Sequence, residues 1–315
     1  MKKNLGFLMS MVLMVSLVIS GCGGKTTLKM ATGGTTGTYY AYSGTVSQVL
    51  SQKINNLTFN VQSTGASKAN IYLVSDEEAD IAIVQNDVMY YAYNGIDLFE
   101  GEKVSGFSAM AGVYAEVCQV VAKSGITSIE DLRGKRVSVG DVGSGVEFNA
   151  RQILEAYGMT FDDIVVSNLS FGDSATALKD DKIDAFFCVA GAPTTAIVEL
   201  ATSNQINLLE VDDEHAAKLI EKYPFYTKFS VPGGSYKGVD NEVQTVAVVA
   251  TYIVSDSLSE DLVYNMTKAL FENAEEIAKA HPKGAELDPA YSVSSISIPL
   301  HPGAEKYYKE IGVLK

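Results

Sequence analysis

Thr32-Gly33-Gly34-Thr35-Thr36-Gly37-Thr38-Tyr39-Tyr40 follows the apolar Leu28 to Ala31 and opens a helical pattern. A strand that runs into a glycine- and hydroxyl-rich turn and then a helix aims free backbone N–H groups at one point, where an anionic group can sit. A second stretch of this kind, Val139-Gly140-Asp141-Val142-Gly143-Ser144-Gly145-Val146-Glu147, also stands between an apolar strand pattern and a helix. Two such turns read as the two jaws of a ligand clamp, and the rest of the chain as their frame.

From Leu28 onward short apolar runs alternate with amphipathic stretches, the rhythm of an α/β fold with a parallel sheet flanked by helices. Tyr42, Val46, Val49 and Leu50 share one helix face before Leu57 to Val61 supplies a second strand, and Asp80 to Val84 reads as a third. The turn Ser63-Thr64-Gly65-Ala66 follows the second strand. Gln85-Asn86-Asp87 follows the third, where Asn or Asp can cap the next helix. Beyond Gly95, Ala109 to Tyr114 and Val117 to Ala122 are long apolar runs separated only by Ala115 and Glu116, the mark of a strand leaving one lobe for another. A new series of strands begins at Lys135 to Val139 and continues through Ile164 to Val166, Ile183 to Phe187 and Ile206 to Leu209. Gly191-Ala192-Pro193 follows the third of these, with Pro193 suited to a first helical position. The break Val231-Pro232-Gly233-Gly234-Ser235 precedes Thr245 to Val254, a long strand read as the return crossing. Ser257 is expected to cap a final helical region running through Leu262, Met266, Leu270 and Ile277.

Lys2 and Lys3 precede an apolar run from Leu5 to Ile19 that is too short for an ordinary membrane span, so residues 1–21 are expected to be a signal peptide. The run ends in Ile19-Ser20-Gly21-Cys22, which resembles the lipobox of bacterial lipoproteins and implies a lipid on Cys22, with residues 22–27 as a tether. A formal net charge of −14 without any basic run argues against nucleic acid and against electrostatic attachment to anionic lipid. The expected membrane contact is the lipid alone. The chain beyond the signal peptide is too long for one core and suggests two lobes. Cys118 and Cys188 sit in apolar runs and read as buried small hydrophobes, with a disulfide left open by an extracytoplasmic compartment.

Neither glycine turn fits a nucleotide motif. The first lacks the lysine and hydroxyl that end a phosphate-cradling loop, and the second spaces its glycines at 140, 143 and 145. His215, His281 and His301 are scattered, and no metal-ligand spacing or Gly-x-Ser-x-Gly elbow appears. The chain therefore reads as a non-enzyme with no cofactor and no metal. What the turns offer is backbone amides, hydroxyls and side-chain amides, with no Arg or Lys. They suit a carboxylate held by helix N-terminal amides, with Asp87 and Glu147 placed either to meet an ammonium group or to complement helix dipoles. The expected ligand is a small zwitterion or carboxylate.

Several blocks together resemble a known family. The turn Gly33 to Tyr40, then Ser63-Thr64-Gly65-Ala66-Ser67, Ile83-Val84-Gln85-Asn86-Asp87, Leu132-Arg133-Gly134-Lys135-Arg136-Val137, Val139-Gly140-Asp141 with Gly143-Ser144-Gly145, Val189 to Thr194, and Ile298 to Ala304 look like the TAXI solute receptors, the TRAP-associated extracytoplasmic immunogenic proteins. The match spans almost all of the chain beyond the leader, in the family's order. Val142 departs from a common proline and Thr36 from a usual glycine, and the lipobox departs from freely soluble members.

The resemblance implies a two-lobed type II periplasmic-binding-protein fold of the Venus-flytrap kind, with two hinge strands. Lobe 1 is expected to hold residues 28–114 and 252–315 and lobe 2 residues 115–251, with crossings near 112–118 and 245–253. It implies a solute-binding lipoprotein on the outer side of the cell membrane that captures a small carboxylate or amino acid, of glutamate or glutamine type, and delivers it to the membrane subunits of a TRAP permease. Ligand contacts are expected from Gly37, Thr38, Tyr39, Tyr40, Ser63, Thr64, Gly65, Ala66, Gln85, Asn86, Asp87, Gly143, Ser144, Gly145, Gly191, Ala192 and Pro193. An ABC-importer lipoprotein of the same fold, an enzyme on this fold using Cys188, and a surface adhesin are the alternatives.

Overall fold

The computed structural model describes residues 25–315, so the leader, the lipidation site at Cys22 and the tether as far as residue 24 lie outside the described residues, while Thr26 and Thr27, expected in the tether, are the first residues of a strand. The first unit is built from β1 (Thr26–Ala31), α1 (Thr38–Lys53), β2 (Leu57–Gln62), α2 (Ser67–Ser75), β3 (Ile81–Gln85) and α3 (Asn86–Asn94). Strand β1 lies between β2 and β3, all three parallel, so their C-terminal turns open on one edge. The long β4 (Phe107–Lys123) then leaves this unit. The second unit follows with β5 (Arg136–Ser138), α4 (Gly145–Ala156), β6 (Val165–Ser167), α5 (Phe171–Lys179), β7 (Ala185–Ala190), α6 (Thr195–Ser203), β8 (Ile206–Leu209), α7 (Asp213–Lys222) and β9 (Thr227–Val231). The return strand β10 (Val243–Ser255) leads into α8 (Glu260–Glu272), α9 (Ala274–Ala280), α10 (Pro289–Ser294) and α11 (Pro302–Glu310).

The sheet runs β2-β1-β3-β10-β4-β7-β5-β6, with β8 on β4 and β9 on β10. Strands β4 and β10 are antiparallel partners from Phe107↔Ser255 to Val117↔Ala247, and both take up different neighbours towards the second half. The end of β10 pairs with β3 through Ala250 to Val254, and its start pairs with β9 through Val243 to Ala247. Beyond Val117, β4 pairs instead with β7 and β8. The two strands therefore bind the halves into one sheet while each half keeps its own helices.

Apolar spacing along each helix decides which face it covers. Tyr42, Val46 and Leu50 of α1 pack with Met266 and Leu270 of α8 and Tyr308 of α11 on one face of the first half. Ile71 and Val74 of α2 and Val88 and Met89 of α3 cover the other. In the second half, Ala150, Ile153 and Leu154 of α4 and Leu219 of α7 cover one face, and Leu178 of α5 with Ile197 and Leu200 of α6 the other.

Three local expectations are corrected, and the disulfide left open between Cys118 and Cys188 is closed off. Helix α8 is capped by Ser259, whose Oγ accepts from Leu262 N (3.3 Å), and Ser257 lies before it. Asn86 does not cap α3, because its Oδ1 accepts from Val249 N (3.0 Å) in β10. Pro193 precedes the N-cap Thr194 of α6, and its bond from Ala192 is cis. Cys118 and Cys188 are free, and they sit in the cores on opposite faces of adjacent strands, which keeps the sulfurs apart.

Candidate ligand-binding cleft

The turn after β1 is shaped by a buried amide. Asn70 of α2 donates through Nδ2 to Thr32 O (2.6 Å) and Ile83 O (2.8 Å), and Thr64 Oγ1 donates to Thr32 O (2.9 Å), so three strand ends are tied together. At the start of α2, Ala66 adopts φ 66° and ψ −147°, a region that costs a non-glycine residue about 1–3 kcal/mol. That strain sits at a cavity wall.

The cavity measures about 50 Å³, room for a few water-sized molecules, and lies between the two halves of the molecule. One wall is Gly33, Gly34 and Thr36 to Tyr39 with Ala66, Ser67 and Gln85; the other is Asp141, Ser144 to Val146, Ser170 and Phe171, with Val189, Ala190 and Glu116 completing the lining. Four helix N-termini thus meet around it, those of α1, α2, α4 and α5. Ser144 and Ser170 accept from the third residue of their own helices, Glu147 N (3.3 Å) and Asp173 N (3.2 Å). Helices α1 and α2 have no side-chain cap at Gly37 and Ala66, so their first-turn N–H groups are left for a guest. Among the described residues, no Lys or Arg lines the cavity.

Glu116 is the one buried acid of the lining. It lies on β4 opposite Val248 of β10, only 2% exposed, and Tyr39 Oη donates to its Oε2 (2.7 Å). Burial pushes this carboxyl well above the ordinary range, the Tyr39 hydrogen bond pulls it back, and the charge of Asp87 raises it further. An acid of this kind takes a proton readily or accepts a cationic group that enters beside it.

The residues anticipated from sequence fall into distinct places. Gly37, Thr38, Tyr39, Ala66, Gln85, Ser144 and Gly145 line the cavity together. Ser63, Thr64 and Gly65 line a wider opening outside it, beside Asp173 and Glu199. Tyr40 is half-buried on α1 and is not part of the wall, and Asn86 is committed to β10 and to Ser295 O (3.4 Å). Asp87 lies behind the wall, accepting from Asn149 Nδ2 (3.2 Å). Gly143 N donates to Glu147 Oε2 (2.7 Å), so both serve the turn itself. Gly191 accepts from Thr38 Oγ1 (3.1 Å) through its carbonyl, a bond between the halves, while Ala192 and Pro193 stand outside the lining.

Residues that sequence reasoning passed over are Glu116, Ser67, Asp141, Ser170 and Phe171. Glu116 carried a signal, because a lone carboxylate inside a long apolar strand is expensive unless a site uses it. Ser170 and Phe171 open a helix after a strand that shows no glycine turn. Cys188 is fully buried and its thiol is pushed up by that burial, which denies it to an attached cofactor.

Two lobes of α/β structure, joined by two long strands and facing each other across a cleft of helix N-termini, define a type II periplasmic-binding-protein fold. The chain is similar to the alkanesulfonate-binding protein SsuA from Xanthomonas axonopodis pv. citri bound to MOPS, at 13% identity over 91% of this chain and 84% of that one, with a TM-score of 0.53. It is similar to a putative L-cystine ABC transporter from Listeria monocytogenes, at 15% identity over 82% of this chain and 95% of that one, with a TM-score of 0.52. The GluR0 ligand-binding core from Nostoc punctiforme in complex with L-glutamate matches at 14% identity over 82% of this chain and 100% of that one, with a TM-score of 0.51. At these identities the likeness establishes the fold. The chain belongs to the NMT1-like family, whose model matches residues 30–312.

Proposed function

We propose that this protein is an extracytoplasmic solute receptor, tethered by a lipid at Cys22, that captures a small carboxylate or amino acid and hands it to a TRAP-type permease. The observation that carries the reading is the convergence of four helix N-termini, two of them uncapped, on one small cavity between two lobes. The ligand carboxylate sits against the N–H groups of the first turns of α1 and α2, where the dipoles and free donors of both helices favour an anion. An ammonium group on the same ligand turns to Glu116. The hydroxyls of Ser144 and Ser170 cover the other side.

Capture works by a shift between open and closed forms, because a solute that touches both walls binds both only when the lobes are together. The hinges are taken at the crossings near 112–118 and 245–253, where β4 and β10 exchange neighbours. The ligand class is tested by a calorimetric screen of amino acids and dicarboxylates, with sugars as controls. Saturable binding of an amino acid such as L-glutamate is expected, and binding of sugars alone sinks the reading. The permease is tested by affinity capture from membranes. Recovery of TRAP subunits is expected, whereas recovery of an ATP-hydrolysing importer assigns the same receptor to the ABC class.

A further inference from the structure

The lobes also meet in a buried contact behind the cavity, which shares Gln85 with the cavity's lining. Asn149 of α4 places its carboxamide between two side chains of the facing lobe: Gln85 Nε2 donates to its Oδ1 (3.0 Å), and its Nδ2 donates to Asp87 Oδ2 (3.2 Å) and to Tyr226 Oη (2.6 Å). Tyr226 Oη donates to Gln152 Oε1 (2.6 Å), and Gln152 Nε2 donates back across to Tyr91 Oη (3.2 Å). Phe225 packs beside this network against Tyr90 and Tyr91, ring centroids 4.9 and 5.8 Å apart. Asp87 and Asn149 are completely buried.

Two acceptors in this network, Gln85 Oε1 and Asp87 Oδ1, have no donor among the described residues. A buried orphan oxygen is costly, and an ionised one more so, whereas a proton on Asp87 turns its orphan acceptor into a donor and removes the charge. The groups that face Asp87 are Tyr39 of α1, Tyr91 on its own helix, Asp97 just beyond that helix, Glu116 and Cys118 of β4, and Tyr226 of the other lobe. None is basic.

We propose that this network is a proton-sensitive latch: closing the cleft takes up a proton at Asp87, and a negative charge there favours the open form. The latch rests on the reading above that the lobes open and close. Burial pushes the Asp87 carboxyl up to about 6, the N–H of Val88, the Asn149 side chain and its own N–H pull it back, and Asp97 adds to the rise. In the open form, rehydrated, the group returns toward an ordinary value of about 4. The closed form therefore holds the extra proton in the interval between those values. Its advantage falls as pH rises through that interval and is flat above it. Acidification from about pH 7 to pH 5 raises the closed-to-open ratio about tenfold from this group. Glu116 is buried by the same closure and acts in the same direction, so substitution is needed to separate the two.

The test is the distance between spin labels on Ile96→Cys and Val165→Cys, exposed positions on opposite lobes, in the detergent-solubilised full chain carrying Cys22→Ser. Cys118 and Cys188 are buried and remain unlabelled. Without solute, the short distance is expected to gain weight on acidification. Asp87→Asn, of the same shape, is expected to be more closed at pH 7 and to lose about tenfold of the pH response. Asn149→Ala is expected to be more open at both pH values, with thermal melts confirming that each variant is folded. An unchanged pH response in Asp87→Asn overturns the latch. If distances ignore pH but shorten with saturating L-glutamate, the latch fails and the receptor stands; if neither pH nor any solute of the screen moves them, both fail.

Discussion

Gly145 of lobe 2 presses its backbone closely on the Gln85 side chain of lobe 1. A Cβ added there lies 1.8 Å from Gln85 Oε1, 2.4 Å from Cδ and 3.0 Å from Nε2, closer than packed atoms tolerate. Gly145 is the first residue of α4 after the Ser144 cap and has no left-handed backbone angle, so Gly145→Ala is expected to leave lobe 2 by itself about as stable. In the closed form the Gln85 carboxamide has to swing away. It is the end of a flexible side chain, so relief is available, but it breaks the buried bond to Asn149 at a cost of about 1–3 kcal/mol. The closing equilibrium, and the affinity for any solute that bridges the lobes, is expected to weaken about five- to 150-fold. Calorimetry gives the affinity, the spin-label distances give the closed fraction, and a melt shows a nearly unchanged ligand-free midpoint. Adding Gln85→Ala is expected to restore part of the closure, with a coupling of at least about 1 kcal/mol. Wild-type affinity and closure in Gly145→Ala would refute the reasoning.

Other residues give separable outcomes. Glu116→Gln is expected to weaken an amino acid by about 1.5–3 kcal/mol while changing an amine-free dicarboxylate little, measured by paired titrations. Asp184 accepts from Arg136 Nε (3.0 Å), from Arg136 through its second nitrogen (2.7 Å) and from Arg136 N (2.9 Å), and the guanidinium holds its carboxyl well below the usual range. That depressed group stabilises the fold above an ordinary value of about 4 and loses its contribution as pH falls below it. Asp184→Asn is thus expected to cost about 1–2 kcal/mol near neutrality and little in strong acid, read from urea midpoints. In lobe 1, a Cβ on Gly303 of α11 lies 2.2 Å from Glu260 O and 2.6 Å from Tyr264 N of α8, backbone atoms that cannot rotate away. Gly303→Ala is expected to lower stability by about 1–3 kcal/mol with closure intact.

The strand–turn–helix punctuation was legible because Ile81 to Val84, buried on both faces, reads as one apolar run, while Leu28 to Ala31 and Leu57 to Val61 set apolar residues between polar ones as partly exposed strands do. The 17-residue β4 was also legible, two apolar runs with one acid between them. Strand β9 was not, since Thr227–Val231 has only Val231 buried and forms because β10 offers it an edge. Choosing among neighbouring polar residues failed for the same kind of reason. Ser257 and Ser259 offer equal caps in sequence, and Asn86 had a β10 amide to satisfy that no local pattern reveals. At the cleft, glycine turns marked three of its approaches. Which turn residues face the cavity and which the rim is decided by how the two lobes meet, and so Tyr40, Asn86 and Pro193 fell outside while Phe171 and Ser170 came in.

The most direct measurement is a crystal structure of the protein with the solute that the calorimetric screen selects. The receptor reading predicts a carboxylate within hydrogen-bond distance of backbone N–H groups in the first turns of α1 and α2, the lobes closed, and any amine of the solute turned to Glu116. A solute seated outside the cleft, or one whose carboxylate points away from both helix ends, contradicts it.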